Sequence, residues 1–206
     1  MRDIADFMPY VLPWVIGCSD PMAEQAVRSA AREFLMATRM WREVASATVV
    51  ANEVYDELSI TGDAVLYEIE AVWFTATGQL PGSGKKLTPE QYAARPPGEV
   101  PALWKVTMEQ PNVLTLLAPE SGRFDISMWL LPSPVADSLP DFMFDNHAET
   151  IAAGAKAALL SMASREWYDA ATAGYQRGLF QAAKDRFGSF AQTGQHRAAA
   201  RTVTRY

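Results

Sequence analysis

Cysteine and histidine are scarce in this 206-residue chain, which leaves few side chains for metal or nucleophile chemistry. Cys18 is the only cysteine, so an intrachain disulfide and a cysteine-based metal cluster are excluded, and we expect an inert thiol. The two histidines are His147, which we expect to be a packing or surface residue, and His196. Neither is followed by the cysteine pair of a zinc deaminase, and no Gly-x-Ser-x-Gly sequence supplies a nucleophile for a catalytic triad.

Acidic pairs and one glycine-rich stretch are the other candidates for chemistry, and neither completes a known pattern. Glu68 and Glu70 share one face of a predicted strand, but nothing nearby adds a third metal ligand. The stretch 79–88 has Gln79 where a phosphate-binding loop needs glycine, and Lys86 where it needs serine or threonine. We interpret it as a surface loop. We predict no catalytic, cofactor-binding or metal-binding residues, and we expect a protein that is not an enzyme.

Long apolar runs are also missing. The longest ones, at 11–16 and 71–74, are far shorter than the roughly 20 residues that cross a bilayer. Asp3 and Asp6 lie where a signal peptide would have a basic start and an apolar segment. We therefore expect no membrane association and a protein that stays in the cytoplasm where it is made. With 49% apolar and 20% charged residues, the composition is typical of a globular domain with one core.

Charge is distributed unevenly along the chain. Residues 1–187 carry 15 basic and 24 acidic side chains, a net charge of −9, whereas residues 188–206 carry three arginines and no acid. An acidic body does not resemble a duplex-binding domain, which concentrates basic residues on a folded face. We interpret 188–206 as an extended basic arm that binds a partner; a solvated terminus is the alternative.

Helical periodicity marks both ends of the body. Asp20 is the predicted N-cap of a first helix, Pro21 suits its first turn, and apolar residues recur as far as Trp41. Asp141 is the predicted cap of a second helix that reaches Met162. A last helix is predicted to begin near Arg165. Its apolar residues are Trp167, Ala171, Tyr175, Leu179 and Ala182. Gly154, Gly174 and Gly178 allow close contacts between helices or between subunits.

The middle of the chain, about 48–131, has the two-residue period of strands. Apolar and polar residues alternate through Tyr67–Trp73 and Phe124–Leu130, and turn signals separate shorter runs at 104–108 and 113–117. Thr88 begins a capping box that predicts a short helix to about Ala94. We therefore predict an α+β fold. Its helical core, from the N-terminal helix and two C-terminal helices, carries an inserted antiparallel β region, and a single domain at 1–187 precedes the arm.

Three stretches, in this order, together resemble the head–tail adaptor (connector, or head-completion) proteins of tailed, especially short-tailed, bacteriophages. The first comprises FMPYVLP at 7–13, AVRSAAREF at 26–34 and TRMWR at 38–42. The second comprises LPSP at 131–134, LPDF at 139–142 and IAAGA at 151–155. The third comprises WYD at 167–169, AGY at 173–175 and Phe180, followed by the basic arm. The β insertion matches in pattern alone.

The resemblance implies a structural virion protein at the head–tail junction. Such adaptors form a homo-oligomeric ring, usually a dodecamer, beneath the portal protein. The ring extends the DNA channel used in genome packaging and ejection, lets DNA pass without sequence-specific binding, and is the attachment platform for the downstream tail or nozzle protein. Their C-terminal arms dock between portal subunits. In this chain the candidate docking residues are Phe190, His196, Arg197, Arg201, Arg205 and Tyr206.

One departure from the family pattern is the long loop at 78–86, where we assign Lys85 and Lys86 to a possible tail-facing surface. Three alternatives stay open at this point. A tail-completion or terminator ring protein belongs to the same structural class. A DNA-binding accessory protein and a small phage enzyme belong to other classes.

Overall fold

The helices and the long strands come from different parts of the chain. The structure is a computed structural model that describes residues 1–51, 54–55, 60, 63–80, 84–87, 103–106, 114–117 and 120–193. Within these ranges, residues 1–40 and the chain from Asp137 onward form one compact unit, and residues 41–136 form another. We call them the helical unit and the sheet unit. The predicted α+β class is confirmed, with a helical core built from both ends of the chain.

The helical unit has four helices: α1 (Met8–Val11), α2 (Asp20–Thr38), α3 (Asp141–Leu160) and α4 (Ala170–Thr193). Short 3₁₀ turns at Ile4–Phe7 and Leu12–Trp14 flank α1. Strands β1 (Arg2–Asp3) and β9 (Ser138–Leu139) pair antiparallel and join the two ends of the chain. Of the three long helices, α3 packs against both α2 and α4.

The ends of α2 differ slightly from the prediction. Ser19, with extended backbone, is the N-cap, and Asp20 lies in the first turn, where its charge complements the helix dipole. The helix ends at Thr38 because Arg39 adopts a left-handed conformation with φ of 50°, so it does not reach Trp41. Trp41 belongs instead to the sheet unit, where its carbonyl oxygen accepts the Leu130 N–H at 2.9 Å.

The start of α4 also differs, because Asp169 rather than a residue near Arg165 caps it. The Asp169 carboxylate accepts the backbone N–H groups of Ala171 and Thr172, each at 3.0 Å, and the Thr172 hydroxyl at 2.6 Å. These hydrogen bonds, led by the Thr172 hydroxyl, lower the pKa of Asp169. Similarly, α3 begins after Pro140, and no side chain caps it, so Asp141 is not the cap that we predicted.

The three long helices come into close contact at Gly154 of α3. A Cβ atom there would lie 2.9 Å from the Ala30 Cβ of α2 and 3.0 Å from the Phe180 ring of α4. The predicted close contact is therefore confirmed at Gly154. At Gly174 and Gly178 an added Cβ would have no neighbour within 4 Å among the described residues, so these two glycines border open space.

The sheet unit is built around four antiparallel strands. These are β2 (Arg42–Val49), β4 (Ala64–Ala76), β5 (Lys85–Leu87) and β8 (Gly122–Pro132), in the order β2-β8-β4-β5. A second antiparallel sheet has the order β3 (Val54–Tyr55), β7 (Leu114–Leu117), β6 (Leu103–Val106). The first long strand thus begins at Arg42. The helix predicted from Thr88 to Ala94 lies outside the described residues.

On strand β8 the predicted alternation holds from Gly122 to Ile126, whereas Ser127 on the opposite face is also buried. Phe124, Ile126 and Met128 are buried on one face. Arg123 and Asp125 lie on the other face and bond to each other at 2.8 Å. On β4 the pairing register with β8 shifts between Leu66 and Glu68 and again between Ile69 and Ala71, so alternation there is interrupted. In the described ranges, no helix is both long and apolar enough to cross a membrane.

Candidate functional site

The residues that we predicted to dock at a portal lie almost wholly beyond the described chain. Phe190 belongs to the backbone of α4, and its side chain lies outside the described residues. His196, Arg197, Arg201, Arg205 and Tyr206 also lie outside them. Their docking role stays a prediction.

The two lysines assigned to a tail-facing loop are in strand β5. Lys86 pairs with Trp73 and Lys85 with Phe74 of β4. The two lysines therefore lie in a paired strand and not in a loop. The reason lies in Gly84, where an added Cβ would approach the Thr75 hydroxyl to 2.6 Å; glycine permits this close approach to β4. Lys86 is exposed, and its tail-facing role stays a prediction.

His147 and Cys18 both lie in the helical unit, and burial shifts the pKa of each. The His147 ring is buried against the rings of Phe34 and Phe187, at centroid distances of 5.1 and 4.8 Å. Burial lowers the pKa of His147, and no described residue bonds to its Nδ1 atom. Burial likewise raises the pKa of the Cys18 thiol, with a smaller opposing effect of Arg165. The expectation that His147 is a packing residue is therefore confirmed.

Glu70 of the acidic pair on β4 takes part in a polar cluster of the sheet. The Glu70 carboxylate bonds to Arg42 Nε at 2.7 Å, and Ser127 Oγ donates to the same oxygen at 2.5 Å. Arg42 Nε also donates to Ser127 Oγ at 2.9 Å, so the three side chains satisfy one another across β2, β8 and β4. No group of three potential metal ligands occurs in the described chain.

A groove on the helical unit is lined by apolar, polar and charged side chains. It has a volume of about 520 Å³ and lies between the α1 region, α3 and α4; we call it the α3–α4 groove. Its lining residues are Pro9, Tyr10, Trp14, Glu149, Thr150, Ala152, Ala153, Lys156, Gln176 and Leu179. The buried alanines and Gln176 form its floor, whereas Tyr10, Trp14 and Leu179 are exposed at its rim.

Lys156 supplies the positive charge of the groove. Its Nζ atom lies 4.9 Å from the centre of the Trp14 ring, a cation–π contact that places the ammonium against an apolar wall. Burial lowers the pKa of Lys156, and the nearby Glu149 carboxylate opposes that shift. A ligand carboxylate would therefore find a partly desolvated ammonium in this groove.

Gln176 is a polar side chain set into the floor of the groove. It is only 5% exposed and no hydrogen bond joins its amide to another described residue. Among the described residues, Nδ1 of His147 is the one buried side-chain polar atom without a partner, so the Gln176 amide reaches the solvent of the groove. Because it offers both a donor and an acceptor, it suits a ligand that carries an amide group, such as a polypeptide main chain.

The exposed side of α4 continues from the groove. Among the described side chains of α4, those of Ala173, Gln176 and Phe180 are buried. In contrast, the apolar residues that recur at helical spacing, Ala171, Tyr175, Leu179 and Ala182, are all exposed. Tyr175 is 66% exposed and Leu179 46%. The sequence shows this stripe, but periodicity alone does not say whether a helix face meets its own core or a partner.

Comparison with known proteins adds no relative. No protein-family model matches the chain. No curated protein matches its sequence either.

Proposed function

We propose that this protein is a non-enzymatic structural subunit of a tailed bacteriophage, a head–tail adaptor that assembles as a ring beneath the portal. The observation that carries the proposal is the exposed apolar stripe of α4, together with the α3–α4 groove beside it. A face that combines Tyr175, Leu179 and small residues is unfavourable in water and is typical of a protein–protein contact. A subunit that is covered on assembly has this kind of surface.

The glycines of α4 support the same proposal. Gly174 and Gly178 border open space on the described chain, although glycine lowers the stability of a helix interior by about 1 kcal/mol relative to alanine. Within the helical unit, no close contact at Gly174 or Gly178 compensates for this loss of helix stability, whereas Gly154 does make such a contact. A neighbouring subunit that packs closely against Gly174 and Gly178 would supply a compensating contact.

The resemblance to adaptor proteins supplies the specific role. A helical core closed by both chain ends, with a β region inserted between them, is the organisation that the family shares. In this proposal the ring, of about twelve copies, is a virion component that extends the DNA channel and provides the platform for the tail protein. A net charge of −6 suits a channel wall, since a surface that attracted phosphate would retain the DNA that must pass.

The proposal is tested by negative-stain imaging of the purified protein, alone and mixed with the portal protein of the same phage. We expect rings at the portal. Tyr175→Glu, which places a carboxylate on the apolar stripe, should abolish them. Arg177→Glu, two residues away and off the stripe, should leave them intact. Wild-type protein that stays monomeric and never binds the portal would exclude an adaptor.

A further inference from the structure

We propose that the α3–α4 groove binds the loop at 133–137 of a second copy of this chain. Val135 of one copy would lie between Trp14 and Leu179 of the next, and the Asp137 carboxylate would lie beside the Lys156 ammonium. This inference rests on the proposed function, because it names the contact that would repeat from subunit to subunit around the ring.

The groove offers three features that a short peptide loop can use. Its rim is apolar at Trp14 and Leu179, its single basic residue is Lys156, which lies near Glu149, and its floor presents the amide of Gln176. A volume of about 520 Å³ is within the range of pockets that enclose a few side chains. The occupant should therefore combine a bulky apolar side chain, a nearby carboxylate and a main-chain amide.

The loop at 133–137 meets these requirements. Three large apolar side chains of the described residues are more than three-quarters exposed: Ile16 at 82%, Leu80 at 79% and Val135 at 78%. Of these three, only Val135 has an acid within two residues, namely Asp137. The Asp137 side chain is 95% exposed, although it lies 4.0 Å from an Arg28 nitrogen.

The loop is also ordered before any partner binds. The Ala136 N–H donates to the Ser133 carbonyl at 3.1 Å, and the Val135 N–H donates to the Ser133 hydroxyl at 3.3 Å. At the other end, the Asp137 carbonyl accepts the Ile4 N–H at 3.0 Å. A preformed loop loses little conformational entropy on binding, so more of the contact energy contributes to affinity.

The symmetry of such a contact agrees with a ring. The groove and the loop share no residue, so a contact between them in two copies is head-to-tail. Every copy retains one open groove and one open loop until the assembly closes. A closed ring satisfies all of them.

A charge exchange tests the contact. Lys156→Glu and Asp137→Lys should each weaken self-association, measured by sedimentation velocity alone and by the number of copies bound to the portal, by at least about tenfold. An equimolar mixture of the two variants, and the double variant, should restore assembly because each junction again joins opposite charges. Glu120→Lys, an exposed turn residue of the sheet unit, is the control and should assemble as wild type does.

A second measurement does not depend on charge. In a Cys18→Ser background, Val135→Cys and Leu179→Cys proteins should form a disulfide-linked heterodimer when they are mixed at the portal and oxidised. Absence of that crosslink, or a double variant that fails to assemble, would overturn the loop assignment while leaving the adaptor proposal intact. Groove variants that lose portal binding but keep self-association would show that the groove binds portal instead. Wild-type protein that neither self-associates nor binds the portal would remove the proposed function itself.

Discussion

The helical unit and the sheet unit differ in how well the sequence pattern predicts which face of an element is buried. On β8, alternate residues belong to opposite faces, so the buried set that includes Phe124 and Met128 follows directly from the sequence. On α4, the apolar stripe through Tyr175 and Leu179 is exposed, and a less apolar set that includes Gln176 is buried. A strand between two partners has its faces set by pairing, whereas a helix can direct an equally regular stripe toward another subunit.

The largest expected effect comes from removing one buried aromatic ring from the core of each unit. Phe124→Ala in the sheet unit and Phe34→Ala in the helical unit each remove a fully buried ring, and we expect a loss of about 3–5 kcal/mol in the free energy of unfolding. Hydrogen exchange with mass spectrometry would locate the loss. Protection should fall mainly in β2, β4 and β8 for Phe124→Ala, and mainly in α2, α3 and α4 for Phe34→Ala. An equal loss of protection across both units from either variant would contradict the division into two cores.

A smaller effect separates the two kinds of glycine in the helical unit. Gly154→Ala places a methyl group 2.9 Å from the Ala30 Cβ, and we expect a destabilisation of about 1–3 kcal/mol from overpacking. Gly178→Ala meets no described atom and should instead stabilise the isolated subunit by up to about 1 kcal/mol through helix propensity. Urea unfolding of both variants would measure the difference. Equal shifts of the same sign would show that the approach of α3 to its neighbours is not the constraint we infer.

Much of the fold could be predicted from local signals. The alternation at Phe124–Leu130 and the proline in the first turn of α2 each act through contacts that a short segment determines. The start of β2 at Arg42 was missed because its alternation follows directly on a helical stretch. The start of α4 was missed because Trp167, which suits a helix, lies in a turn where its indole N–H donates to the Leu159 carbonyl.

The candidate site was much harder to predict. The α3–α4 groove combines Trp14, Lys156 and Gln176, which are far apart in sequence, and no spacing rule brings them together. The basic arm was visible as a charge pattern, but its residues beyond 193 are outside the described chain. Lys85 and Lys86 were assigned to a loop because a glycine-rich segment precedes them, although their pairing with β4 is a non-local interaction. Non-local contacts explain both the groove and the position of the two lysines.

The smallest expected effect is a pH dependence confined to the helical unit. Burial between Phe34 and Phe187 lowers the pKa of His147 below the ordinary value of 6.5, so the folded state disfavours its protonation. In the unfolded chain the histidine binds a proton near pH 6.5. The contribution of His147 to the free energy of unfolding should therefore be fully present above pH 6.5 and should fall as the pH decreases toward the lowered pKa of the folded state. His147→Phe should flatten the dependence of the urea midpoint between about pH 7.5 and 5.5, above the range where carboxylates titrate. The sheet unit contains no histidine and serves as the internal control, since its exchange protection should not change across this window. An unchanged slope in the variant would place the titrating group elsewhere.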